Sequence, residues 1–269
     1  MVRDKNDVTW NQNDGAKKPF CAELRFYEEL NDLLPAALQK TAFSYRFAQH
    51  PSVKDVIEAH HVPHTEVDLI VANGESVGFE YQLQDGDRVS VYPTFEAMDI
   101  RSIVRLRPAP LRRTAFILDV HLGTLTARLR MLGMDAVYGP EFDDDRMIEE
   151  ALTTHRIILT RDRGLLQHRI VTHGYCVRSD DVVHQCREVI QRFDLGDSIR
   201  PFTRCIRCNG NLHPVRKEDI IDALQPLTRK YFDDFSACDR CGNVYWKGSH
   251  YEKLMQMVMA LRQGSARST

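Results

Sequence analysis

The sequence has no long apolar run, no large excess of charge and none of the commonest motifs of covalent or nucleotide-binding enzymes. No run approaches the roughly 18 apolar residues of a membrane-spanning helix. The opening Met-Val-Arg-Asp-Lys-Asn-Asp lacks the apolar core of a signal peptide. A net charge of −2 excludes a polycation that coats nucleic acid. Neither a nucleophile-elbow serine nor a phosphate-cradling glycine-rich loop is present, so any chemistry must come from other residues.

Size and cysteine usage define the expected class of protein. A chain of 269 residues predicts one or two domains plus a small module. A hydrophobic fraction of 43% is sufficient for ordinary globular cores. Seven cysteines, an odd number, favour a reducing compartment, and we therefore expect a cytoplasmic protein without membrane contact.

Two C-x-x-C knuckles are the most specific motif. Cys205 and Cys208 form the first knuckle, and Cys238 and Cys241 form the second. Together they can complete a closed tetrahedral thiolate shell around a structural zinc ion. Four ordinary buried cysteines or two disulfides are the alternatives. The 29 residues between the knuckles exceed the common spacing, and the excess predicts an inserted helix over residues 217–224 that stops before Pro226.

A small domain is predicted over residues 20–95, after a polar tail over 1–19 that reads as disordered. Ala22, Leu24 and Phe26 alternate with polar residues, which is typical of a strand. The order strand, strand, helix, strand, strand indicates a β-grasp (α+β) fold. The segment 86–91 resembles ubiquitin-like sulfur carriers, but no free Gly-Gly tail follows it. We therefore expect a module that binds a protein partner, or else an appendage that only stabilises the fold.

A basic linker is predicted over residues 96–113. Its prolines, Pro108 and Pro110, favour an extended chain. Its arginines suit either phosphate contacts or a solvated hinge. They are Arg101, Arg105, Arg107, Arg112 and Arg113.

From residue 114 to 200 the pattern predicts an α/β domain. Short apolar runs at 115–118, 137–138, 157–159 and 175–177 read as strands, and helical spacing of apolar residues lies between them. Strands that alternate with helices predict a parallel sheet flanked by helices. Gly133 stands where a helix C-terminal cap belongs.

Aspartates follow the strands of this predicted sheet. Asp119, Asp162 and Asp180 come after the first, third and fourth strands, and the run 143–145 comes after the second. The carboxyl ends of parallel strands share one rim, where ligands collect. Crowded carboxylates repel unless a cation joins them, and a set of oxygen ligands favours Mg²⁺ or Mn²⁺. Such an ion can activate water against a phosphodiester. The alternative is that each aspartate only caps a helix.

These motifs together resemble the mutator-seven C-terminal RNase domain family, a PIN-like nuclease family with a C-terminal zinc ribbon. The resemblance lies in residues 116–119, 122–123, 129–133, 158–162 and 178–181, in both knuckles and in the closing segment 245–251. The predicted β-grasp domain is similar to one often fused to this family. The resemblance implies metal-dependent RNA cleavage by Asp119, Asp162 and Asp180. The resemblance also implies a fourth catalytic aspartate within the run 143–145. We choose Asp144, because the family's aspartate lies seven residues before an alanine, here Ala151.

The ribbon is predicted over residues 201–258, with a tail over 259–269. It carries basic and aromatic residues in the combination that binds single-stranded RNA, although a solvated face over packed aromatics is the alternative. We expect Tyr245 and Trp246 to pack, and His250 to be an ordinary hydrogen-bonded histidine. The basic residues are Arg204, Arg207, Arg216, Lys217, Arg229, Lys230, Arg240 and Lys247.

The leading hypothesis is a Mg²⁺- or Mn²⁺-dependent ribonuclease that hydrolyses RNA phosphodiester bonds. Its ribbon and β-grasp domain would help to bind substrate or a partner. A non-catalytic RNA-binding adaptor is the second hypothesis, and acids at all four positions favour the enzyme. A ubiquitin-like modifier is disfavoured because the diglycine is missing.

Overall fold

The computed structural model describes residues 19–93, 114–248 and 251–265. The predicted linker over 96–113, nearly all of the predicted N-terminal tail and His250 lie outside these ranges. Within them, no helix is both long and apolar enough to cross a bilayer.

The first domain is a five-stranded sheet covered by a helix. Strand β1 pairs antiparallel with β2 and parallel with β5, and the sheet order is β2-β1-β5-β3-β4. The predicted β-grasp arrangement is confirmed. Ser52 caps α1, since its side chain accepts a hydrogen bond from the Asp55 N–H. The elements are β1 (Phe20–Phe26), β2 (Phe43–Phe47), α1 (Val53–Ala59), β3 (Val67–Ala72), β4 (Glu75–Val77) and β5 (Arg88–Pro93).

The second domain is built on a four-stranded parallel sheet with the order β7-β6-β8-β9. All four residues of β6 and of β8 are buried, as expected for central strands of a parallel sheet. The elements are β6 (Ala115–Leu118), α2 (Gly123–Met131), β7 (Asp135–Tyr138), α3 (Asp144–Thr154), β8 (Ile157–Thr160), α4 (Arg163–Leu166), β9 (Gly174–Cys176) and α5 (Val182–Arg192).

Helices cover both faces of this sheet, so the domain has three layers. Leu125 of α2 and Val189 of α5 pack with Phe116 on one face. Met147 of α3 and Leu165 of α4 pack on the other. Gly133 ends α2 with φ +90°, and a Cβ there would lie 2.1 Å from the carbonyl oxygen of Arg200. Only glycine fits this predicted cap.

The C-terminal module is a three-stranded antiparallel sheet followed by a helix. The sheet order is β10-β11-β12. The inserted segment is not one helix over 217–224, because α6 ends at Ile220 and α7 begins at Pro226. The last helix, α8, crosses the predicted start of the tail at 259, and its Leu261 is buried in the core of the second domain. The elements are β10 (Leu212–Val215), α6 (Lys217–Ile220), α7 (Pro226–Tyr231), β11 (Phe235–Cys238), β12 (Val244–Trp246) and α8 (Tyr251–Ser265).

Candidate functional site

The four knuckle cysteines form one cluster. Their sulfur atoms all lie within 4.8 Å of one another. The Sγ atoms of Cys205 and Cys241 are 3.6 Å apart, and those of Cys208 and Cys238 are 3.4 Å apart. Four sulfurs held about 2.3 Å from a central zinc ion would be separated by about 3.8 Å, whereas a disulfide requires about 2.05 Å. The spacing therefore fits a tetrahedral metal site and excludes two disulfides.

Turns in the backbone of each knuckle bring its cysteines together. In the first, Cys205 N–H donates to the Gly210 carbonyl at 2.8 Å, and Asn209 adopts φ +66°. In the second, the Arg240 N–H points at Cys238 Sγ at 3.4 Å. A Cβ at Gly210 would lie 2.7 Å from Cys238 Sγ, so a side chain there would intrude on the cluster. This close approach explains the glycine after the first knuckle.

The electrostatics of the cluster favour a thiolate at Cys205, whereas burial raises the pKa of the Cys208 thiol. Burial also raises the pKa of the Cys205 thiol, but hydrogen bonds from the Tyr245 hydroxyl and the neighbouring thiols outweigh burial and hold its pKa below the ordinary value. The Tyr245 oxygen lies 3.1 Å from Cys205 Sγ. The prediction that Tyr245 packs rather than contacts RNA agrees with this position. A thiolate is the form of cysteine that binds zinc.

The first knuckle is anchored to the second domain by buried polar contacts. The Arg130 guanidinium is 7% exposed and donates to the carbonyls of Ile206 and Arg207 at 3.0 Å. Asn209 donates to Asp135 Oδ1 at 2.8 Å. Burial raises the pKa of Asp135, but hydrogen bonds from Arg156 and Asn209 hold it below the usual value. The ribbon is therefore fixed to the edge of the parallel sheet.

Asp119 lies at the carboxyl end of the central strand β6 and is 9% exposed. Its Oδ1 accepts the His121 N–H at 2.8 Å, which caps a short 3-10 turn. Its Oδ2 accepts the Thr160 hydroxyl at 2.5 Å and the Arg161 N–H at 3.0 Å. The carboxylate is therefore held in one orientation from two neighbouring strands.

Asp162 contacts the same threonine through its main chain. The Thr160 hydroxyl accepts the Asp162 N–H at 2.8 Å, and Asp162 Oδ1 caps α4 by accepting the Gly164 N–H at 2.7 Å. Thr160 is fully buried. The sequence analysis gave Thr160 no role. The feature that could have indicated one is its position between the last apolar residue of a strand and the next aspartate.

Asp180 and Asp144 lie at the same end of the sheet and point towards solvent. The Asp180 carboxylate is 88% exposed and pairs with the Arg161 guanidinium at 2.5 Å. Asp144 is exposed in the first turn of α3. Asp143 caps α3 and Asp181 caps α5, so neighbours of the two candidate acids perform the capping.

The four carboxylates do not form a tight ligand group. Within the described ranges, the four cysteines are the only group of three or more possible ligand atoms within 4.8 Å of one another. Arg161 connects two of the acids, since its N–H reaches Asp119 and its guanidinium reaches Asp180. The predicted acids therefore share one rim, with Asp119 and Asp162 linked by Thr160.

Ion pairs engage several of the basic residues predicted to contact RNA. Arg204 lies 3.3 Å from Asp135 and is largely buried, and Lys217 lies 2.7 Å from Asp233. Among the described residues, no acidic partner is found for Arg207 or Arg229. Trp246 contacts Phe232 and Phe235 but is still 42% exposed. It borders a groove of about 940 Å³ between the ribbon sheet and α8.

The comparison with protein families supports a nuclease-like enzyme. The Mut7-C RNAse domain model matches residues 114–258, and the Mut7-C ubiquitin model matches residues 20–99. The chain therefore belongs to the Mut7-C RNAse domain family and carries that family's ubiquitin domain at its N-terminal side. No curated protein and no solved structure matches the chain.

Proposed function

We propose that this protein is a Mg²⁺- or Mn²⁺-dependent endoribonuclease of PIN-like type that hydrolyses RNA phosphodiester bonds. Membership of the Mut7-C RNAse domain family supports the reaction class. The observation that carries the assignment of the site is the buried, doubly fixed carboxylate of Asp119 at the carboxyl end of a central parallel strand. Ligands collect at this rim in parallel sheets.

The donor atoms of the rim suit a hard divalent cation. Asp119 and Asp162 would be the main ligands, because each closely follows a buried strand and Thr160 contacts the carboxylate of one and the main chain of the other. Asp180 and Asp144 would complete the shell directly or through water, which Mg²⁺ usually retains. When bound, the ion would supply an activated water and stabilise negative charge on the phosphate. Sharing one ion among three or more of these carboxylates would require them to move closer together.

The ribbon would hold zinc through Cys205, Cys208, Cys238 and Cys241 as a structural site. All four ligand positions come from the protein, which leaves no open position for chemistry. Arg207 and Arg229, together with the exposed rings of Trp246 and Tyr231, offer charge and stacking surfaces for single-stranded RNA. The ubiquitin-like domain would contribute to the binding of substrate or of a protein partner.

An RNA cleavage assay tests the proposal. The full chain is incubated with a panel of labelled RNAs in Mn²⁺, in Mg²⁺ and in excess chelator. We expect cleavage that requires the metal and is lost in Asp119→Asn, while RNA binding persists. Binding without cleavage of any RNA in the wild type would instead identify the adaptor.

A further inference from the structure

A cavity lies at the boundary between the ubiquitin-like domain and the acidic rim. It has a volume of about 330 Å³. Asp32 lines it from the first domain, and three arginines line it from the second, together with Cys176 and Val177. The arginines are Arg161, Arg163 and Arg178.

The guanidinium of Arg178 is already bound by other residues of the protein. Its guanidinium lies 2.5 Å from the fully buried Glu66 of the first domain, and it also donates to the Tyr175 hydroxyl. Glu66 and Glu188 raise the pKa of Arg178 above its usual value even though burial opposes this. The second oxygen of Glu66 accepts the Cys176 N–H at 2.7 Å. This pair joins the two domains and forms one wall of the cavity, but its charge is already balanced.

Arg163 keeps an uncompensated charge. Its Nη1 donates to the Leu33 carbonyl of the first domain at 3.0 Å. A carbonyl fixes the guanidinium without neutralising it, and no carboxylate among the described residues lies within ion-pair distance. The guanidinium of Arg161 is half-exposed, and its one carboxylate partner among the described residues is Asp180. Three guanidinium groups therefore border one cavity, and only a single lining residue, Asp32, is acidic.

The cavity lies directly beside the candidate catalytic acids. Arg163 follows Asp162 in the chain, and Arg161 contacts both Asp119 and Asp180. A guanidinium presents paired N–H donors that match phosphate oxygens. We propose that Arg161 and Arg163 form a subsite for a phosphate group of RNA, and that the ubiquitin-like domain builds it by fixing Arg163 through Leu33 and Arg178 through Glu66. This inference rests on the proposed function, because it assigns the cavity to that substrate.

The test measures RNA binding separately from cleavage. A fluorescein-labelled oligouridylate is titrated with the full chain in chelator at several NaCl concentrations, using fluorescence anisotropy. Arg163→Gln should bind about tenfold more weakly than the wild type, the effect of losing one charged contact. Its salt dependence should also fall by about one phosphate contact. Arg169→Gln is the matched control, because Arg169 is exposed, lies six positions along the chain and does not line the cavity.

A second variant and a second pair of oligonucleotides extend the binding test. Arg163→Lys keeps the positive charge but loses the paired N–H donors of the guanidinium. It should therefore keep the salt dependence of RNA binding and lose part of the affinity for RNA. It also serves if Arg163→Gln does not fold. Oligonucleotides with a 5′-phosphate and with a 5′-hydroxyl distinguish a terminal phosphate from a backbone phosphate. A wild-type preference for the 5′-phosphate that Arg163→Gln removes assigns the subsite to a terminal phosphate. Equal binding of the two oligonucleotides, both weakened by Arg163→Gln, assigns it to a backbone phosphate.

Unchanged affinity and salt dependence in folded Arg163→Gln would overturn the proposal. An equal loss in Arg169→Gln would overturn it as well, because general positive charge would then explain the binding. If the wild type fails to cleave RNA in Mn²⁺, the ribonuclease assignment fails, whereas the binding arm still decides whether the phosphate subsite exists.

Discussion

Replacing Asp119 by asparagine separates the role of this side chain as a cap from its role as a ligand. Asparagine keeps an oxygen that can accept the His121 N–H, so the turn after β6 remains capped. The other oxygen becomes an NH₂ group. It would face the Arg161 N–H and the Thr160 hydroxyl, which both donate to Asp119 in the wild type. The Thr160 hydroxyl can rotate and accept from this NH₂ group, but the Arg161 N–H is left facing another donor in a site that is 9% exposed.

The structure sets the expected size of this effect. Losing one hydrogen bond to a charged acceptor and leaving a buried donor unpaired costs about 1–3 kcal/mol. For a domain of about 150 residues this corresponds to a fall in Tm of very roughly 2–12 °C. Relief of carboxylate repulsion would have left stability unchanged or improved, but Asp180 is 88% exposed and paired with Arg161, so little repulsion exists to relieve.

The experiment combines urea unfolding with cleavage in Mn²⁺. Asp143→Asn is the matched control, because exposed Asp143 accepts only the Arg146 N–H and asparagine caps equally well. We expect this control to be stable and active. Thr160→Val removes the hydroxyl but no carboxylate, so it should lose stability and keep part of the activity. If folded Asp119→Asn cleaves RNA at the wild-type rate, Asp119 is a cap and not a ligand.

Three further predictions concern the ribbon and the domain boundaries. Purified protein should contain about one zinc per chain, and Cys238→Ser should lose zinc and thermal stability together; full zinc content in that variant would contradict the cluster assignment. Asp135→Asn should destabilise the chain by about 1–3 kcal/mol at pH 7, because it weakens the charge-assisted hydrogen bond from the largely buried Arg156. The pKa of Asp135 is lower in the folded protein than the unfolded value of about 3.9, so the Asp135 carboxylate stabilises the fold fully above that pH. This stabilisation is lost as the pH falls through the folded pKa, and the urea midpoints of wild type and variant should therefore converge below about pH 4. A constant difference between the two midpoints down to pH 2 would contradict this. Residues 114–269 should fold alone, because the hydrophobic clusters of the two domains share no residue, and a molten fragment by near-UV circular dichroism would show the boundary to be misplaced.

The regular elements were largely predictable from the sequence because local pattern determines them. The apolar runs at 115–118 and 157–159 became buried parallel strands, and Gly133 ends a helix as predicted. The helix α8 was missed, although Leu254, Val258 and Leu261 already showed helical spacing and now pack on the second domain. The predicted helix over 217–224 is interrupted, because apolar spacing does not report where an exposed helix breaks.

Contacts between distant segments could not be predicted in this way. Glu66 and Arg178 are 112 positions apart, and neither lies in a periodic pattern that signals a partner. The same holds for Asp135 and Asn209, which connect the sheet to the first knuckle. A lone charged residue reads as solvated surface in a sequence, and only the tertiary fold reveals that its charge is paired and buried.

The pairs of adjacent aspartates explain why the choice between cap and ligand could not be made from sequence. In each pair one carboxylate closes a helix: Asp143 accepts the Arg146 N–H, and Asp181 accepts the N–H groups of Val183 and His184. A side chain committed to those donors has less freedom to bind an ion. The other member, Asp144 or Asp180, makes no capping bond among the described residues, although one oxygen of Asp180 pairs with Arg161. Under the proposed function, doubling the acid would let one position cap the helix while its neighbour binds the ion, whereas Asp119 and Asp162 would have to do both, since each already accepts a capping N–H.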